Sequence, residues 1–176
     1  PIVSVKKKEN RLGGAANVAL NIQALGANPI ICATIGTDIE GDEFIKLMDK
    51  QELSSEGLLR LSSRPTTVKT RVIGHHQQML RIDAEVDEEI NSSESADLLP
   101  KILFILDRQK IDAIIFEDYD KGVISESLIA QVVAEANRRK IITVVDPKKR
   151  NFLSYKDVTL FKPNLKELRE GLKVDI

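Results

Sequence analysis

The 176 residues predict an α/β domain, a mostly parallel sheet layered between helices with a small β flap at one edge. Three observations carry that prediction. Apolar runs of strand length alternate with amphipathic helical stretches, charged loops follow the strands, and one central stretch switches to the alternation of an exposed hairpin.

Taken in order, Ile2–Val5 is β-like and runs into Lys6-Lys7-Lys8-Glu9, a charged run typical of an exposed edge. Gly13-Gly14 then opens a helix in which Val18, Ile22 and Leu25 share one face, and Gly26 stops it. Pro29–Ile35 is a continuous apolar run closed by Gly36, which predicts a strand buried on both faces. Phe44, Leu47 and Met48 place a helix over Asp42–Gln51. Thr66–Gly74 and Gln77–Asp83 are polar, alternating strands joined near Gly74-His75-His76, and they predict a hairpin flap. Beyond it, a helix is expected over about Ser92–Gln109, a strand over Asp112–Phe116, and a helix over Ser125–Arg139 with Ser125 as its cap. Strands at Ile141–Val145 and Val158–Phe161 follow, and a last helix begins at Asn164–Glu170. No repeat or linker divides the chain, so one domain over residues 1–176 is expected.

Composition excludes several classes. Twenty-six basic and 27 acidic side chains give a formal charge of −1, so no strong field would attract nucleic acid. Aromatic residues for base stacking are few: five Phe, two Tyr and no Trp. No apolar run approaches the ~20 residues that span a bilayer, and Pro1–Val5 is too short and mixed for a signal peptide. A lone Cys32 cannot form an internal disulfide, and with only two histidines a zinc site of the usual kind is not expected. Adjacent His75 and His76 would face opposite ways on a strand and read as turn residues; Cys32 reads as packing. A cytoplasmic protein with no membrane or nucleic-acid partner is the expectation.

In open parallel sheets ligands bind beyond the carboxyl ends of the strands. Glu117-Asp118-Tyr119-Asp120-Lys121-Gly122, Asp146-Pro147-Lys148-Lys149-Arg150 and Lys162-Pro163-Asn164-Leu165-Lys166-Glu167 each follow a strand. Any one such loop is explained by solvation alone; three in succession, mixing carboxylates with lysines, suit a phosphate ligand with a divalent cation. Gly13-Gly14 offers backbone N–H groups at a helix start, with Asn17 one turn on, although a tight turn alone would also account for the pair. Neither a P-loop, nor G-x-G-x-x-G, nor G-x-S-x-G occurs.

Gly13-Gly14-Ala15-Ala16-Asn17-Val18-Ala19, Gly36-Thr37-Asp38 with Gly41-Asp42, and Lys162-Pro163-Asn164-x-x-Glu167 resemble the ribokinase-like (PfkB) carbohydrate kinases. Thr66-Thr67-Val68-Lys69-Thr70-Arg71-Val72, Gln77-Gln78-Met79-Leu80-Arg81-Ile82-Asp83, Asp118-Tyr119-x-Lys121-Gly122 and Asp146-Pro147-Lys148 look like the heptose 7-phosphate kinase branch. In many bacteria that kinase is one module of a bifunctional ADP-heptose synthase. The resemblance runs over essentially the whole chain. The glycine pair is a weak motif and N-x-x-E a moderate one, while their order with the flap strand is specific.

The resemblance implies a ribokinase-like αβα sandwich with a β lid from segments 2–8 and 66–83, which in relatives also forms a dimer surface. It implies ATP and Mg²⁺ as cofactors and phosphorylation of heptose 7-phosphate to the 1,7-bisphosphate, for lipopolysaccharide core precursors. Gly13, Gly14 and Asn17 would contact sugar hydroxyls, and Arg81 and Lys121 the phosphate the sugar carries. Lys162, Lys148, Asn164 and Glu167 would serve the nucleotide, Glu167 acting on Mg²⁺ indirectly. The family also has a first strand ending in a sugar-binding Asp and a later G-A-G-D segment with the general base; neither is in this sequence. The expectation is therefore an incomplete kinase domain that does not turn over as it stands and either self-associates or needs the missing segments. Two rival readings are another PfkB-type sugar kinase and a non-catalytic, self-associating fragment.

Overall fold

The computed structural model describes residues 4–74 and 77–174. Helix α1 (Ala15–Ala24) starts from Gly14, whose φ of 55° suits glycine, and Gly14 O accepts from the N–H groups of Asn17 (3.0 Å) and Val18 (3.3 Å). Strand β1 (Ala33–Gly36) pairs in parallel with β2 (Leu58–Leu61), and helix α2 (Ile39–Lys50) connects them. Ala16 and Ala19 of α1, Ile35 of β1, Met48 of α2 and Leu58 of β2 close a first core with Leu12, Ile31 and Leu53.

Helix α2 begins three residues before the expected Asp42 because Asp38 caps it, accepting from the Gly41 N–H at 2.8 Å. The same carboxylate accepts from Thr66 Oγ1 (2.6 Å) and Thr66 N–H (2.7 Å), while Thr66 Oγ1 accepts from Gly36 N–H (2.8 Å). Burial alone would raise the Asp38 carboxyl, but these hydrogen bonds outweigh it and hold the group below its ordinary value. The end of β1, the start of α2 and the entry to the hairpin are thereby tied at one carboxylate.

The hairpin consists of β3 (Val68–Gly74) and β4 (Gln77–Ala84), antiparallel with a bulge between Val72 and Ile73. Hydrogen bonds around its descending stem tie hairpin and body together. Ile90 N–H donates to Gly122 O (2.9 Å), Arg64 Nη2 donates to Val86 O (2.9 Å) and Lys121 O (2.7 Å), and Arg150 Nη1 donates to Asp87 O (2.7 Å). Gly122 has φ of 72°, and a Cβ there would lie 1.9 Å from Glu88 O, so no other residue fits where stem and body cross.

The second half is strand–helix–strand. Helix α3 (Ser92–Arg108) opens with a capping box of Asn91 and Glu94, and α4 (Glu126–Arg139) with Ser125 Oγ accepting from Leu128 N–H at 3.2 Å. Strands β5 (Ala113–Glu117), β6 (Ile142–Asp146) and β7 (Leu160–Phe161) form a parallel sheet in that order, and α5 (Leu165–Leu172) follows. Leu98 of α3, Ile129, Val132 and Val133 of α4, Phe116 of β5 and Val145 of β6 form a second core with Tyr155. This is the α/β architecture expected, with parallel strands joined through helices.

Several elements differ from expectation. Paired residues of β1 span only Ala33–Gly36, with a single bridge from Ile30 to Ser54, because its partner β2 is four residues long. β2 itself is too short for its periodicity to be seen in the sequence. Among the described residues the parallel strands form two hydrogen-bonded sheets rather than one, and Leu59 of β2 packs onto the second core. Ile115, Ile142 and Leu160, on the face of the second sheet opposite Phe116 and Val145, remain exposed. Cys32 precedes β1 and is exposed rather than packed inside a strand. In the expected lid segment 2–8, residues 2 and 3 lie outside the described residues; Ser4–Lys8 form no strand and are exposed, the consecutive lysines offering no apolar alternation to bury. His75 and His76 lie outside the described residues.

Candidate functional site

Parallel register sets the site. Glu117 and Asp146 are paired at the ends of β5 and β6, and Lys162 N–H donates to Val145 O at 3.0 Å, which brings the β7 loop alongside. Around Asp146, Lys162 Nζ donates to Oδ1 (3.1 Å) and Lys148 Nζ lies 3.6 Å from Oδ2. Lys148 also pairs with Glu167 Oε1. The other Glu167 oxygen accepts from Asn164 N–H (2.8 Å), and Asn164 Oδ1 accepts from Glu167 N–H (2.9 Å), a capping box that starts α5. Four residues singled out in the sequence, Lys148, Lys162, Asn164 and Glu167, therefore converge on one ledge, with Asp146 at its centre.

Electrostatics follow from that crowding. Burial raises the Glu117 carboxyl above its ordinary value, and the Asp146 charge adds to the effect. Burial would lower Lys148, but Glu167 and Asp146 outweigh it and keep its ammonium more firmly protonated than usual. Beneath the ledge, the buried Asp118 carboxylate accepts from Tyr155 OH (2.8 Å), Asn151 Nδ2 (3.2 Å) and Asp120 N–H (2.8 Å). Burial, then Asp118, push the Tyr155 hydroxyl above its ordinary value, so it remains a donor. This lock orders the loop from Asp118 to Gly122. It joins residues 33 and 37 positions apart in the chain, and only the position of Asp118 after a strand hinted at it.

The glycine turn lies over the same loop. A Cβ on Gly14 would sit 3.9 Å from Tyr119 Cε2, so the exposed start of α1 faces the end of β5. Gly13 and Asn17 are exposed there, and Asn17 makes no side-chain hydrogen bond among the described residues. Lys121, at the loop's far end, donates to Glu85 Oε1 (2.7 Å). Glu85 also accepts from Lys69 (2.6 Å), Lys69 donates to Asp83 (3.0 Å), and Arg81 Nε pairs with Asp83 Oδ1 (3.0 Å). Lys121 and Arg81 thus stand at two ends of one ionic chain, on the body and on the hairpin, rather than touching each other.

Two clefts flank this region: one of about 190 Å³ is lined by Asp38, Ser63 and Arg64, and one of about 430 Å³ by Asp120, Arg150 and Leu153. Neither cleft is lined by Lys162 or Glu167. Among the described residues no group of three His, Cys, Asp or Glu side chains could hold a metal ion. No helix of the described residues is long and apolar enough to cross a membrane.

A family model described as pfkB family carbohydrate kinase matches residues 2–176. The bifunctional protein HldE of Helicobacter pylori (strain HPAG1) is 37% identical over 178 residues, covering 100% of this chain and 38% of that protein. HldE of Methylobacillus flagellatus is 37% identical over 174 residues, covering 99% of the chain and 36% of the relative. The chain thus spans well under half the length of these relatives. Among solved structures, the tetrameric inhibited form of phosphofructokinase-2 from Escherichia coli superposes with a TM-score of 0.69 at 17% identity, over 98% of this chain and 59% of that one. For 2-dehydro-3-deoxygluconokinase from Thermotoga maritima the TM-score is 0.66 at 14% identity, over 93% and 54%. With the family model and the HldE relatives covering essentially the whole sequence, the chain belongs to the pfkB family of carbohydrate kinases.

Proposed function

We propose that this chain serves the ATP-dependent phosphorylation of heptose 7-phosphate to heptose 1,7-bisphosphate, a step toward ADP-heptose and the lipopolysaccharide core. The observation that carries the reading is the similarity to HldE proteins over the full chain, at 37% identity. Lys162 and Lys148 are the cations that would meet the nucleotide phosphates, and Asn164 and Glu167 set their placement through the α5 cap. Both Glu167 oxygens are already engaged, and Asp146 is shared by two lysines. That donor set fits a Mg²⁺ carried in by the nucleotide and reached from Glu167 through water, not a cation held in a protein cage.

When bound, the cation would neutralise charge on the transferring phosphoryl group and the leaving oxygen. The lysines hold the phosphates in line, the Gly13-Gly14 turn and Asn17 orient sugar hydroxyls, and Arg81 with Lys121 receives the sugar's phosphate. The hairpin over the site acts as a lid that excludes water. Its outer apolar side, with Leu80 and Ile82 exposed, is the surface on which two copies would meet as a homodimer. A cytoplasmic location accords with these substrates.

Calorimetric titration of the chain tests the reading directly. Heptose 7-phosphate, ribose and fructose 6-phosphate are compared in the presence of magnesium and ADP, and Lys162→Ala is titrated with ADP. Preference for heptose 7-phosphate, with nucleotide affinity at least about tenfold weaker in the variant, is the expected result. Equal affinity for fructose 6-phosphate would favour another sugar kinase; no binding of any sugar would favour a self-associating module.

A further inference from the structure

We infer that Arg64 is a positioning residue for the sugar site: it fastens the stem of the β3–β4 hairpin to the Asp118–Gly122 loop, so that stem and loop move as one piece. The inference rests on the sugar-kinase reading and adds to it a residue that acts through the loop rather than on the ligand.

Two arginines bridge the same pair of segments. Arg64, from the connection between β2 and β3, donates through one nitrogen, Nη2, to Val86 O (2.9 Å) on the stem and to Lys121 O (2.7 Å) on the loop. Arg150, from the loop after β6, repeats the pattern one residue along: Nη1 donates to Asp87 O (2.7 Å), and Nε pairs with Asp120 Oδ1 (2.9 Å). Between them Ile90 N–H donates to Gly122 O (2.9 Å).

The two bridges differ in strength. The Arg150 and Asp120 side chains are each about a third exposed, and water screens their pairing. Both acceptors of Arg64 are main-chain carbonyls in a half-buried setting, where a charge-assisted bond keeps more of its worth. Burial disfavours the Arg64 charge, and Glu94 and Glu88 nearby favour it. Its backbone also starts from a fixed point. Thr66, two residues on, gives its N–H and hydroxyl to Asp38, the cap of α2, so Arg64 reaches the stem from the first core.

Lys121 is thereby held at both ends. Arg64 binds its carbonyl, and its ammonium donates to Glu85 Oε1 (2.7 Å), the residue before Val86. The ledge takes its geometry elsewhere, from the α5 cap and the parallel register of β5 and β6. Loosening Arg64 should therefore disturb the sugar end of the site and spare the nucleotide end.

The test compares wild type, Arg64→Gln and Arg64→Lys as full chains, by hydrogen exchange and by calorimetric titration. In Arg64→Gln, protection of the Ile90 and Asp120 amides is expected to fall together, about tenfold, while the Glu167 amide in the α5 cap stays within about twofold. Affinity for heptose 7-phosphate falls about tenfold and affinity for magnesium ADP less than about twofold. Arg64→Lys recovers part of both losses, since an ammonium keeps the charge but not the planar fork. A uniform fall in protection that includes Glu167 makes Arg64 an ordinary stabilising residue and overturns the inference. So does a fall at only one of the two segments, an unchanged sugar affinity, or equal weakening of both ligands; each leaves the kinase reading intact. If the wild type prefers a different sugar phosphate, the heptose assignment falls and the same comparison is made with that ester. If it binds none, the sugar-kinase reading falls with the positioning role, and exchange at Ile90 and Asp120 still decides whether Arg64 couples stem to loop.

Discussion

The ledge at the strand ends and the β3–β4 hairpin, proposed as a lid, hold charged groups by opposite means. On the ledge, Lys148, Lys162, Asn164 and Glu167 are fixed by parallel register, a helix cap and a buried lock at Asp118, each group tied to elements with hydrophobic cores behind them. On the lid, every residue of β4 is exposed, and position depends on ion pairs and a few stem bonds. The α5 cap and the buried Asp118 lock make the ledge a positioning device although Lys162 and Asn164 are exposed; solvent screening makes the hairpin adjustable, at little cost in stability. The same family of side chains, lysines against carboxylates, serves both, and the surroundings decide which role results.

Three measurements would break or sharpen that contrast. The largest effect belongs to Asp118→Ala, which strands the buried Tyr155 hydroxyl and leaves Asn151 Nδ2 with Ile124 O alone; a loss of about 3 kcal/mol in urea unfolding is expected. A loss under about 1 kcal/mol would mean the ledge is not held from below.

The lid should respond to acid instead. Lys121 first, then Lys69, hold the Glu85 carboxyl below its ordinary 4.5. A depressed folded value means the stabilisation is complete above 4.5 and fades as pH falls through the lower folded value. Protection factors at Ala84–Val86, with the intrinsic exchange rate divided out, should therefore be full above 4.5 and fall as pH drops through the lowered folded value, by at most about 1 kcal/mol. Glu85→Gln should show the faster exchange already at pH 7, and an unchanged rate there would sever the lid from its ionic chain.

Smallest in stability is Leu80→Ser with Ile82→Ser, within about 0.5 kcal/mol because both side chains are exposed. Light scattering should nonetheless show the proposed dimer lost, and a dimer that persists would place the contact elsewhere.

Much of this contrast was legible in the sequence. Apolar runs marked β5 and β6, the N-x-x-E spacing marked the α5 cap, and the polar alternation marked the hairpin, since each is a local pattern. What escaped was relational. Leu58–Leu61 has too few residues to declare a period, and its strand exists because β1 is beside it. Asp38 reads as a motif residue, but its hold on Thr66 is a contact across 28 positions. Asp118 looks like another loop carboxylate until Asn151 and Tyr155 close on it, and no spacing rule connects them. Of the expected lid segment 2–8, Ser4–Lys8 form no strand, because three lysines in a row carry no apolar alternation.

The crossing at Gly122 also fixes an order of assembly. The hairpin is a local structure and can close as soon as residue 84 has left the ribosome, yet its seat is made of Lys121, Gly122 and Arg150, synthesised later. Until then the finished hairpin has no body to restrain it, so the nascent chain is most open to entanglement with its neighbours in the interval before the β5 loop and Arg150 emerge.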